Sequence, residues 1–148
     1  MVEYWKFKAE NKLRAYMAQK ASITNLAEEI SRLASEACSI KSATADGTPV
    51  KGGGSGREDR LLSNIVEREE LKAMLKRAKH SVSMVERGLS VLDDDERHIL
   101  SVMYIGREKG YIDRLMTEYN LVEETSLYKK ARKALRHFTI AMYGATES

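Results

Sequence analysis

The stretch Glu124-Thr125-Ser126-Leu127-Tyr128-Lys129-Lys130-Ala131-Arg132-Lys133-Ala134-Leu135-Arg136-His137-Phe138, continued by Thr139-Ile140-Ala141-Met142-Tyr143-Gly144, decides the fold. Leu127, Ala131, Ala134, Leu135, Phe138 and Met142 recur at the three- and four-residue spacing that gathers them on one stripe of an α-helix. Gly144 is placed to end that helix, because glycine enters the left-handed conformation without a Cβ penalty. The other face carries one sign of charge. From Thr125 through Thr146 there is no Asp or Glu, yet Lys129, Lys130, Arg132, Lys133 and Arg136 are all present. Acid is otherwise abundant, with 22 Asp and Glu in the chain. A merely solvated helix mixes signs, since Glu–Lys pairs one turn apart stabilise it. Exclusion of acid points to an anionic partner. Basic residues toward a helix C-terminus also complement the helix dipole, so the flanking elements must decide between the two readings.

Upstream, two short helical patterns precede this one. Asp93-Asp94-Asp95-Glu96 offers a capping box, Asp93 with Glu96, and puts negative charge where the helix dipole favours it. The helix that follows is expected to turn Ile99, Leu100, Met103 and Tyr104 inward. Gly106 and Gly110 bracket a turn. Tyr111 to Tyr119 reads as a second short helix with Ile112, Leu115, Met116 and Tyr119 apolar, and Asn120 suits a left-handed turn. Two short helices, a tight turn and a third helix with a basic face make the sequence form of a helix-turn-helix. Its second helix braces the third, which presents cations and hydrogen-bond donors to a major groove about 12 Å wide. Thr125, Ser126, Tyr128 and Lys129 lie near the start of the third helix, where base edges are reached. Lys130, Arg132, Lys133 and Arg136 suit phosphates, and Arg132 could serve either purpose. Tyr128 reads equally well as a core or brace residue.

Further upstream the text is also helical. Ile23, Leu26, Ile30, Leu33, Ala37 and Ile40 alternate spacings of three and four, as do Leu71, Leu75, Ala78, Val82, Val85, Leu89 and Leu92. The first helix is expected to begin near Tyr4, with a break around Lys20 to Ser22. The second has a start signal in Ser55 and Glu58, a second capping box. Residues 41 to 56 hold the only proline, Pro49, and five of the nine glycines, which predicts a flexible connection. The run Gly52-Gly53-Gly54-Ser55-Gly56 is not a phosphate-binding loop, since no Gly-Lys-Ser/Thr follows and no strand precedes it. The expected architecture is all-α: a long antiparallel helical hairpin over residues 1–92, a helix-turn-helix over 93–144, and a tail at 145–148. The seams leave more apolar surface than a lone hairpin covers, which predicts a homodimer through residues 13 to 40 and 58 to 92.

Composition bounds the rest. A net charge of +3 in 148 residues is only mildly basic, so charge distribution rather than total charge points to nucleic acid. The single cysteine, Cys38, excludes an internal disulfide framework and reads as a small buried residue in a reducing cytoplasm. No window is apolar enough to span a bilayer, and the N-terminus lacks a signal core. His80, His98 and His137 lie far apart, none near a Cys or carboxylate at ligand spacing, and His98 reads as a surface residue. The acidic run at Asp93 to Glu96 could hold a divalent ion, but capping accounts for it. No nucleophile motif is present. The chain is therefore expected not to be an enzyme, with no catalytic residue, no metal site and no cofactor. Tyr4, Trp5 and Phe7 form an aromatic cluster beside Lys6 and Lys8; docking onto the hairpin or a contact with a second copy is favoured over stacking on bases.

Leu92-Asp93-Asp94-Asp95-Glu96-Arg97-His98-Ile99-Leu100 followed by Tyr104 resembles the opening of the sigma-70 region 4 type of helix-turn-helix, and Ser126 to Leu135 resembles its recognition helix. Over residues 13 to 144 the layout is similar to the ArpU/RinA-type late-gene regulators of phages and prophages. The features that carry this likeness are Ile40-Lys41-Ser42, Thr48-Pro49-Val50 with Gly52-Gly53, Arg57-Glu58-Asp59-Arg60-Leu61-Leu62, and the ending Ala141-Met142-Tyr143-Gly144. The pattern departs at Asn120-Leu121, where a small turn residue is usual, and at Glu123, where Ser or Thr would cap the helix. The resemblance implies a cytoplasmic activator in a bacterial host that binds double-stranded DNA near promoters and recruits RNA polymerase. A small terminase subunit and a coiled-coil interaction module without DNA binding are the alternatives.

Overall fold

The computed structural model describes residues 4–42 and 53–145, of which the side chains of 53–55 are left out. The protein is all-α. In chain order the elements are α1 (Tyr4–Ser42), α2 (Gly53–Ser90), α3 (Asp94–Leu100), a π-helical segment (Ser101–Gly106), α4 (Tyr111–Glu118) and α5 (Glu124–Tyr143). Among the described residues there is no strand. The chain divides into two compact units, one of Met1–Gln19 with His80–Ser148 and the other of Lys20–Lys79.

Three expectations about the long helices need correcting. α1 runs unbroken through Lys20 to Ser22. The triplet Lys-Ala-Ser contains neither Gly nor Pro, and a helix interior tolerates such residues at a cost of well under about 1 kcal/mol. α2 begins at Gly53, so the Ser55 backbone lies inside the helix rather than at its cap; the Ser55 side chain lies outside what is described. Lys41 and Ser42 close α1 and Gly53 to Gly56 open α2, so only 43–52 of the expected connection remain, and those residues lie outside the described set.

In the Lys20–Lys79 unit, the segments of α1 and α2 run antiparallel. Asn64, buried, donates its side-chain amide to the Leu33 carbonyl at 2.8 Å and accepts from Arg68 Nε at 2.7 Å. Leu33, Ala37, Ile40 and Ala78 are buried, whereas Ile23, Leu26, Ile30, Leu71 and Leu75 are only half-buried, as expected where two helices alone share a seam. Cys38 is exposed, contrary to the expectation of burial. It follows Ala37 by one residue, and a helix turns by about 100° per residue, which carries it off the seam.

The other unit holds the main core. Ile99, Leu100, Val102, Met103 and Tyr104 are buried with Leu115 of α4 and with Leu127, Ala131, Ala134, Leu135 and Phe138 of α5. Ala9 and Leu13 of α1, Val85 of α2 and Leu92 join the same cluster, so the core of the C-terminal helices crosses the boundary expected at residue 92. Here too the long helices meet side by side, Tyr16 Oη donating to Glu86 Oε1 at 3.2 Å. Gly88 of α2 gives the approach its closeness. A Cβ there would stand 2.7 Å from Phe138 Cε2 and 2.9 Å from Met142 Cγ, so any larger residue requires those side chains to shift. Burial pushes the Tyr104 phenol well above its ordinary pKa, and the neighbouring Glu10 carboxylate adds to the effect.

The start of α3 is built as the sequence indicates on one side. Asp93 Oδ1 accepts from the Glu96 backbone N–H at 2.8 Å. That hydrogen bond, foremost, holds the Asp93 carboxyl below its usual range. The reciprocal half is different: the Glu96 carboxylate is engaged by His137 of α5. Arg97 fastens α3 to the end of α2, donating to the carbonyls of Leu89 at 3.0 Å and Leu92 at 2.7 Å and to Asp94 Oδ1 at 3.0 Å. It brings a charged donor to carbonyls at the helix end, that of Leu89 also accepting from the Leu92 N–H at 3.2 Å.

Candidate nucleic-acid interface

The turn between α4 and α5 fixes where α5 begins. Asn120 adopts the left-handed conformation, φ 53°, and the Leu121 N–H returns to the Met116 carbonyl at 2.8 Å, closing α4 in a Schellman-like turn. Glu123 is extended at the N-cap of α5 and makes no side-chain cap. Its carboxylate instead accepts from Thr125 Oγ1 at 3.3 Å, and its carbonyl accepts from the Ser126 N–H at 3.1 Å. Gly144, φ 83°, ends α5 with its N–H on the Ile140 carbonyl at 2.7 Å.

α5 is amphipathic along the stripe read from the sequence. Leu127, Ala131, Ala134, Leu135 and Phe138 are buried and Met142 is half-buried. Thr125, Tyr128, Lys129, Lys130, Arg132, Lys133 and Arg136 are exposed, and Ser126 is half-buried. Tyr128, read equally as brace or contact residue, is 47% exposed. By helical spacing, Thr125, Lys129, Arg132 and Arg136 lie in successive turns of the side opposite the core, at intervals of three and four.

Two features absent from the sequence reading modify this face. First, Lys130, Lys133 and His137 share a cleft of about 170 Å³ with Asp93, Asp95, Glu96 and Tyr119. The carboxylates that start α3 therefore flank one edge of the basic helix. Tyr119 Oη donates to Asp95 Oδ1 at 3.5 Å; burial, and then the Asp95 charge, raise its pKa. The Lys130 ammonium lies 6.0 Å from the Tyr119 ring centroid. Second, the first turns of α1 reach the later turns of α5. The Arg136 guanidinium lies 5.9 Å from the Trp5 ring centroid, and Lys8 Nζ stands 4.8 Å from that of Tyr143. Trp5 is half-buried against the core, while Tyr4 and Phe7 are exposed. Both features join residues far apart in sequence, and no spacing rule could have found them.

Histidine–carboxylate pairs tie the three-helix arrangement together. His98 Nε2–H donates to Glu118 Oε2 at 2.7 Å, joining α3 to α4, and the His137–Glu96 pair joins α3 to α5. The sequence reading of His98 as a surface residue holds for its exposure and missed its partner. Among the described residues no three His, Cys, Asp or Glu gather as a metal site, and no helix is long and apolar enough to cross a membrane. No family model matches the sequence, and neither the curated proteins nor the solved structures yield a match.

Proposed function

We propose that this protein is a sequence-specific, double-stranded DNA-binding regulator of transcription, acting in the cytoplasm of a bacterial host as the ArpU/RinA-type resemblance implies. The observation that carries the reading is the acid-free, outward cationic face of α5, presented after the short brace α4 and a tight left-handed turn. In this reading α5 lies in the major groove. Thr125, Ser126 and Lys129 sit in its first turns and read base edges, while Arg132 and Arg136 bind phosphates. Lys130 and Lys133 share their cleft with Asp93, Asp95 and Glu96, which lowers their attraction for phosphate. They contribute less than their charge alone suggests. Recruitment of RNA polymerase rests on the resemblance and on nothing else.

The test is binding to random duplex DNA across a salt series, followed by selection of bound sequences from a random pool. Each phosphate neutralised contributes about 0.9 to the slope of log affinity against log salt. Alanine at Arg136 should therefore weaken binding to all sequences alike and flatten the slope by about one unit. Alanine at Lys129 or Ser126 should relax discrimination at one or two base positions, by about 1–3 kcal/mol. Joint replacement of Lys129, Arg132 and Lys133 by alanine, with circular dichroism unchanged, should abolish binding. Intact affinity in that triple variant removes the reading. A protein that ignores DNA and captures an acidic polypeptide belongs instead to the interaction-module class.

A further inference from the structure

The outward side of α2 in the Lys20–Lys79 unit carries an apolar stripe that no described side chain covers. Leu62, Ile65 and Val66 are 61%, 46% and 50% exposed, and Ala73 lies on the same side two turns later, beyond the exposed Glu69. Three large aliphatic residues clustered within five positions of one helix are a contiguous patch rather than scattered exposure. Charge is distributed along this helix with equal clarity. Residues 57–70 hold Glu58, Asp59, Glu67, Glu69 and Glu70 against three arginines, whereas residues 71–80 hold Lys72, Lys76, Arg77 and Lys79 and no acid. All of these acids and all four of those later cations are exposed.

We infer that α2 self-associates through this stripe, with α2 of a second copy running antiparallel across it and the two-fold axis near residues 67 and 68. That register follows from the residues. It sets Leu62 against Ala73 of the second copy, places each Val66 beside the axis across from Glu69, whose carboxylate is paired with Lys72 of its own helix at 3.2 Å, and faces Asp59 and Glu58 with Lys76 and Arg77 at both ends. A parallel pairing opposes Asp59 to Asp59 and Lys76 to Lys76, and like charges across a helical interface are destabilising. A two-fold contact is self-complementary by construction, which this charge order satisfies. The stretch from Asp59 to Arg77 is about 28 Å long at about 1.5 Å per residue. That is a small contact surface, so association is expected at micromolar rather than nanomolar concentration. The inference uses the Lys20–Lys79 unit alone and stands or falls independently of DNA binding.

The full-length chain decides it. Sedimentation velocity from micromolar to submillimolar protein should show a monomer–dimer equilibrium. Glu58→Lys with Asp59→Lys should weaken it at least about tenfold, the equivalent of about 1.4 kcal/mol. Adding Lys76→Glu and Arg77→Glu to the same chain should restore it. Direction is read by cross-linking in a Cys38→Ser background. Chains with Leu62→Cys mixed with chains carrying Ala73→Cys should oxidise to the mixed pair, and Leu62→Cys alone should not link to itself. A monomer at every concentration overturns the inference, as does efficient linking of Leu62→Cys to itself. All of these positions are exposed, and matching circular dichroism confirms that the variants retain their helices.

Discussion

Replacing Gly88 with alanine tests the packing of the core against the long helices. A methyl at this position would lie 2.7 Å from Phe138 Cε2 and 2.9 Å from Phe138 Cδ2 and Met142 Cγ. Ordinary carbon–carbon contact is about 3.5–4.0 Å, so the ring must retreat by about 1 Å. Phe138 has no solvent exposure, and the same cluster holds Val85, Ala134 and Leu135, so retreat means displacing neighbours that are themselves fully buried. Overpacking of this kind costs about 1–3 kcal/mol. Alanine favours the helix over glycine by about 1 kcal/mol, which leaves a net loss of about 1 kcal/mol and at most about 2. Gly56 supplies the control: it lies in the same helix, and a Cβ there would meet nothing within 4 Å. Gly56→Ala should gain up to about 1 kcal/mol, less if the helix end frays. Urea unfolding of both variants, compared at equal m value, should place Gly88→Ala below wild type and Gly56→Ala at or above it. Combining Gly88→Ala with Phe138→Leu should cost less than the two single changes added together, because the smaller side chain relieves the clash. If Gly88→Ala is stabilised as much as Gly56→Ala, the close approach of α2 to α5 is wrong.

Arg97→Met should lower stability by about 1–3 kcal/mol in urea unfolding, because the carbonyls of Leu89 and Leu92 lose a charged donor, and Arg97→Lys should recover only part of that loss. Asp93→Ala should lower the melting temperature. Since the Asp93 pKa is depressed by folding, its contribution is present above the ordinary carboxylate range and is lost as pH falls through the folded value, so wild type and variant should converge in acid. His98→Ala breaks an exposed pair with Glu118 and should change stability by less than about 1 kcal/mol; a larger drop would mean that the pair organises the α3–α4 packing. Asn64→Ala removes the buried amide that reaches the Leu33 carbonyl and should cost about 1 kcal/mol, measured by urea unfolding.

The sequence carried what repeats along a helix and missed what joins distant segments. The buried stripe of α5, the Asp93 cap, the left-handed Asn120 and the terminating Gly144 all follow from local periodicity or local backbone preference, and each stands where the residues place it. Local rules erred where they were weak. The triplet around Ala21 contains no breaker and α1 passes through it, and the angle of Cys38 from Ala37, not its residue type, sets its exposure. The closeness at Gly88, the Asn64 bond, the grip of Arg97 on the end of α2 and the acidic edge along Lys130 and Lys133 are tertiary. Their partners lie 8, 31, 37 and 50 residues away in the chain, and no pattern on one helix encodes them. The candidate interface was thus legible as a list of cations and not as a surface with an acidic flank.

The π-helical segment has a consequence for how this core can change over time. Its hydrogen bonds skip one residue more than those of an α-helix, so Ser101–Gly106 amounts to an α-helix that has taken in a single extra residue without opening a loop. The accommodation widens the inward arc, and Ile99, Leu100, Val102, Met103 and Tyr104 are buried almost consecutively where a regular helix would turn some of them to solvent. Removing one residue here returns the backbone to ordinary α geometry at no cost in main-chain bonding. The wide turn absorbs the extra residue, so the helix before it and the chain after it keep nearly the directions they would have without it. The Asp93 cap and the Arg97 anchor lie before that wide turn, Tyr104 within it, and the turn into α4 after it. The extra residue is therefore a packing device, a one-residue insertion that adds buried side chains to the core while leaving the flanking helices aimed as before.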